Sequence, residues 1–89
     1  KPKTIGYITD RKTGVPLSFA VLRIISPSTN TEISHKVSDA YGRYYCLVPK
    51  GKYYVKIEQK SNDGSYSGVY QSSLIDASRN GIIKEKFKV

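Results

Sequence analysis

One histidine and one cysteine are present in this 89-residue chain, and they are the first places to look for catalysis or metal binding. His35 lies in a strand-like segment with no Asp, Cys or Glu at the spacing of a nucleophile pair or a ligand cluster, so it reads as an exposed strand residue. Cys46 alternates with Tyr44 and Val48 and is expected to face inward. A thiol in apolar surroundings has a raised pKa and little reactivity, so a structural role follows. Four aspartates, Asp10, Asp39, Asp63 and Asp76, fall in or near turns, where loops at one end of a sheet could gather oxygen ligands around calcium. No calcium-loop pattern of alternating oxygen ligands accompanies them, and Asp10 and Asp39 fit better as acceptors of backbone N–H groups in their own turns. No catalytic residue, metal or cofactor is expected.

Recognition is the better-supported class of chemistry. Fifteen Lys and Arg against seven Asp and Glu give a net charge of +8, which favours anionic partners. Eight tyrosines interleave with these cations, as on a stacking platform for nucleic acid. Several of them take core positions, however, and no RNA-sheet, zinc-finger or helix-turn-helix motif is present, so nucleic acid is an unlikely partner. Tyr7, Tyr45 and Tyr54, with Lys52 and Lys56 beside them, form the candidate ligand or partner surface. A planar row of exposed rings there would indicate a carbohydrate site.

The elements that must position these side chains are strands. Apolar residues recur with period two, Val, Ile, Tyr and Thr are abundant, and turn residues come about every ten positions. Seven strands are expected, near 4–9, 18–26, 32–38, 43–48, 52–59, 69–75 and 82–89. Asp10 to Pro16, Asp39-Ala40-Tyr41-Gly42 and Asn80-Gly81 supply reversals, the second with Asp first and Gly last as a type I turn prefers. A short helical turn over 73–79 is conceivable. The inward positions are Thr4, Gly6 and Ile8; Ala20, Leu22 and Ile24; Tyr44, Cys46 and Val48; Tyr53, Val55 and Ile57; and Ile83, Phe87 and Val89. Opposite them stand Ile5, Tyr7, Val21, Ile25, Tyr45, Leu47 and Tyr54, more apolar bulk than a solvated surface needs, so part of it should be covered.

A chain of this length holds one domain, here residues 1–89. No apolar run approaches the ~18 residues of a membrane span, and the basic start Lys1-Pro2-Lys3 leads into a strand-like segment rather than a signal-peptide core, so no membrane insertion is expected. Both chain ends fall near apparent strand ends, as in a module excised from a longer protein.

Several stretches resemble carboxypeptidase-regulatory-like domains, which are prealbumin-like (transthyretin-like) β-sandwiches: Gly6-Tyr7-Ile8-Thr9-Asp10, Thr13-Gly14-Val15-Pro16-Leu17 and Ala20-Val21-Leu22-Arg23-Ile24. Ser38-Asp39-Ala40-Tyr41-Gly42-Arg43-Tyr44 and Val48-Pro49-Lys50-Gly51-Lys52-Tyr53 extend the resemblance to about residue 58. It implies an all-β, seven-stranded Greek-key sandwich, prealbumin-like or immunoglobulin-like, with the Pro49 to Tyr53 stretch crossing between sheets at a tyrosine corner. The related collagen-adhesin B-type modules carry a Lys to Asn or Asp isopeptide bond, but the corresponding positions here hold Ile8 and Ile57, so that bond should be absent. The resemblance also implies a non-catalytic accessory module of a secreted or cell-surface bacterial protein, docking a neighbouring domain of its parent chain or a protein partner. The alternative is a carbohydrate-binding module using the exposed tyrosines.

Overall fold

The alternating segments form nine strands and no helix among the described residues, 4–89 of the computed structural model. They are β1 (Ile5–Thr9), β2 (Val21–Ser26), β3 (Thr31–Val37), β4 (Arg43–Leu47), β5 (Lys52–Lys60), β6 (Tyr66–Gln71), β7 (Ile75–Asp76), β8 (Ile82–Ile83) and β9 (Lys86–Lys88). Lys1, Pro2 and Lys3 lie outside the described residues.

Two sheets result. In the four-stranded sheet, hydrogen bonds link β8 to β4, β4 to β1 and β1 to β9. The β1–β9 pair is parallel and the other two are antiparallel. The five-stranded sheet runs β3-β2-β5-β6, with β7 beside the start of β5, and is antiparallel throughout. Period-two alternation gives each sheet one apolar face. The inner faces meet in a single core, with Ile8, Tyr44, Cys46, Ile83 and Phe87 on one side and Leu22, Ile24, Tyr53, Val55 and Ile57 on the other. The chain is thus an all-β sandwich, and Ile8 and Ile57 are both fully buried in it.

The core follows the expected inward set, with Val48 and Val89 partly buried, and adds Leu17 and Ala77 from loops. Thr4 is half-buried and precedes the first strand. The sixth expected strand begins three residues early, at Tyr66, and its tail is the separate β7, so 73–79 holds a short strand and a turn rather than a helical turn. The last expected strand is divided too. Its first two residues pair with Cys46 and Leu47 of β4, and its later ones pair with Tyr7, Ile8 and Thr9 of β1.

Between β4 and β5 the chain leaves one sheet and enters the other. The Tyr53 hydroxyl donates to the Pro49 carbonyl at 2.6 Å, which fixes that corner as expected. A second tyrosine bolts the division of the last strand. The Tyr44 ring passes over Gly6, where a Cβ would collide with it, and its hydroxyl donates to the Glu85 carbonyl at 2.7 Å. Gly6 is therefore required for its missing side chain.

Candidate interaction surface

Each sheet also has an outer face, and side-chain alternation decides what each presents. On the four-stranded sheet, Tyr45 stands opposite Ile5, and Tyr7 lies between Arg43 on β4 and Lys86 on β9. Leu47 stands opposite Ile82. Tyr45 is 53% exposed and Leu47 50%, while Ile5, Tyr7 and Ile82 are half-buried. Lys86 and Lys88, both exposed, flank this apolar strip, and no lysine among the described residues is in an ion pair.

At one end of the strip, Asp39 organises the turn into β4. One carboxylate oxygen accepts the Tyr41 and Arg43 N–H groups, and the other binds the Arg43 guanidinium at 2.7 Å. The Arg43 N–H, then the guanidinium and the Tyr41 N–H, hold the Asp39 carboxyl below its ordinary range. Asp10 likewise accepts from Lys12 and Thr13 in its own turn. Asp63 and Asp76 are taken up by Ser65 and Ser78. No grouping of His, Cys, Asp and Glu able to hold a metal occurs among the described residues. The Cys46 thiol is fully buried, and burial pushes its pKa up.

The outer face of the five-stranded sheet is arranged differently. Arg23, at its centre, bonds Glu32 on one neighbouring strand and Glu58 on the other, each at 3.0 Å. His35 Nδ1 lies 3.1 Å from the second oxygen of Glu32. The hydrogen bonds that Arg23 donates to Glu58 and then to Glu32 hold it firmly protonated, and the bond from Arg23, with His35 the second partner, lowers Glu32. His35 is an exposed strand residue as expected, and its contact with Glu32 was not foreseen from the sequence. A bulge between Ile24 and Ile25 makes Ile33 the extra residue of β3, and this brings Glu32 and His35 onto one face.

The same face shows how Val21 and Ile25 come to be covered, as part of the outward apolar set was expected to be. Both point away from the core as read from the sequence, yet they are 8% and 6% exposed. They flank Arg23 along the interior strand β2, beside Tyr54 and Glu58 on β5 and Glu32 and Val37 on β3. The protein's own side chains cover them.

The five candidate surface residues are thus dispersed. Tyr7 and Tyr45 share the outer face of the four-stranded sheet, whereas Lys52, Tyr54 and Lys56 lie on β5 in the other. The three tyrosines do not form one row. Asn80-Gly81 starts the short pairing that sets Ile82 opposite Leu47 on the outer face of the four-stranded sheet. Comparison with protein-family models, with curated proteins and with solved structures finds no match for this chain.

Proposed function

We propose that the chain is a non-catalytic structural and interaction module of a secreted or cell-surface protein, docked through the outer face of its four-stranded sheet onto a neighbouring domain or a protein partner. The observation that carries this reading is the contrast in cover: Tyr45 and Leu47 stand half-exposed on one face, while Val21 and Ile25 on the other are buried beneath an ion network. The tyrosine corner at Tyr53 and the Asp39 turn support a prealbumin-like, seven-stranded Greek-key arrangement, in which β6 with β7 and β8 with β9 count as interrupted single strands. The aliphatic part of the strip favours protein over sugar. Sugars stack on flat rings, and of the two strand tyrosines on this face, Tyr7 and Tyr45, Tyr45 alone offers a largely exposed ring.

The test is a photo-crosslinking residue placed at position 45 and, separately, at position 56 in the natural host. A defined adduct from position 45, lost when Leu47→Lys is added and absent from position 56, is the expected result. Equal adducts from both positions, or none from 45, would sink the docking reading. Glycan retention abolished by Tyr45→Ala with an unchanged melting temperature would replace it with the carbohydrate one.

A further inference from the structure

Of the strands with an open edge, β3, β6 and β9 are guarded against the addition of another strand. β3 carries Glu32, His35 and Lys36 and a bulge at Ile33. β6 carries a bulge at Val69, because Ile57 pairs with Tyr70 and Glu58 with Gly68. β9 is three residues long and two of them are lysines. Bulges, charges and short length are the usual means of blunting a sheet edge. β4 has none of them: its pairing with β1 and β8 shows no register shift, and its single charged residue, Arg43, is tied to Asp39.

The backbone of β4 shows which edge is open. The Gly42 carbonyl accepts from the Ile8 N–H, and the Val48 N–H donates to the Gly81 carbonyl, so even-numbered positions turn towards β1 and β8. Odd-numbered positions turn the other way. Arg43 is satisfied there, its carbonyl accepting from the Asp39 N–H at 2.8 Å. Tyr45 and Leu47 follow it on the same edge, and by this alternation their N–H and C=O groups face away from β1 and β8. Beside them β3 and β4 part, leaving a cleft of about 250 Å³ lined by Ile5, Lys36, Val37, Arg43 and Tyr45.

We infer that this edge accepts an extended acidic and aliphatic segment of another protein, laid along β4 as an added strand. The inference rests on the docking reading above and names the form of the partner. The N–H and C=O groups of Tyr45 and Leu47 supply main-chain pairing, which a glycan or a lipid surface does not match along a strand. Val37, Tyr45 and Leu47, each half or more exposed, supply apolar contacts for alternate side chains of the segment. Lys36, in no ion pair among the described residues, favours a carboxylate, since the one acid in the cleft, Asp39, is already committed to Arg43. A second copy of this chain, bearing +8, brings the wrong charge.

The test is backbone amide exchange by NMR on the 89-residue chain, with the capped peptide Glu-Val-Glu-Val-Glu-Ile-Glu and a lysine counterpart as probes. The acidic peptide is expected to bind saturably, to slow exchange at Tyr45 and Leu47 by at least about tenfold at saturation, and to lose binding when its alternate amides are N-methylated. The lysine peptide should not bind. Binding that leaves those two amides unprotected and shifts Ile82 and Lys86 instead would refute strand addition while leaving the docking face standing. No binding at millimolar peptide would also refute it, with crosslinking from position 45 judging the docking reading separately. Protection that grows with protein concentration alone would make a second copy the occupant and overturn the acidic partner.

Discussion

The two outer faces of this sandwich are made of similar residues and end in opposite states. On the five-stranded sheet, Val21 and Ile25 flank an arginine held by two glutamates, and these two side chains are covered from within. On the four-stranded sheet, Tyr45 and Leu47 have no such canopy, and the nearby lysines point to solvent without carboxylate partners. What separates them is strand position. β2 is an interior strand whose neighbours on both sides carry long acidic side chains that converge on one arginine. β4 is a border strand, paired along one edge only and parted from β3 by a cleft along the other. Exposed apolar bulk alone does not identify a docking face, whereas the failure of neighbours to cover it does.

That contrast can be broken most directly by truncation on each face. Ile25→Ala should cost about 2 to 5 kcal/mol of unfolding free energy in a urea titration, as for a packed core residue. Leu47→Ala should stay within about 0.5 kcal/mol. Equal losses would mean that the two faces are covered alike. A smaller effect concerns the canopy. The carboxyl of Glu32 is lowered in the folded protein, so its contribution is present above its unfolded value, about pH 4.3, and is lost as pH falls through the folded value. Arg23→Ala should therefore be less stable at pH 7 and show a shallower loss between about pH 5 and pH 2, followed by fluorescence of the tyrosines. Identical acid limbs in the two proteins would show that the network gives Val21 and Ile25 no cover worth counting. The smallest effect belongs to the open face: Lys86→Ala should change the melting temperature by no more than the scatter of replicate scans.

Much of the architecture was legible because local chemistry specified it. Pro49, Gly51 and Tyr53 announce a corner, Asp39 and Gly42 announce a turn, and alternation from Tyr44 to Ile57 separates inward from outward positions. Bulges were not legible. An extra residue at Ile33 or Val69 leaves no compositional mark, yet it shifts every later side chain to the other face and so created the unforeseen meeting of His35 with Glu32. The division of the last strand was hidden for a related reason. Ile83 and Phe87 keep the same inward phase although the strand changes partner between them, so periodicity alone sees one element. The candidate site was half legible. Alternation marked Tyr7 and Tyr45 as outward, and the crossing expected at Pro49 to Tyr53 already set Tyr54 in the opposite sheet, so a single row of the three rings was not consistent with it.

The pairing of β9 with β1 brings the two extremes of the described chain side by side, with the Tyr44 hydroxyl holding the join at Glu85. Contacts of such long sequence separation cost the most chain entropy to close and form late. A growing chain can assemble β2, β3, β5 and β6 from nearby partners, but β1 keeps one bare edge until Lys86 to Lys88 have been made. The four-stranded sheet is thus a seal completed last, and a chain cut short of β9 would carry an unfinished border that invites pairing with its siblings.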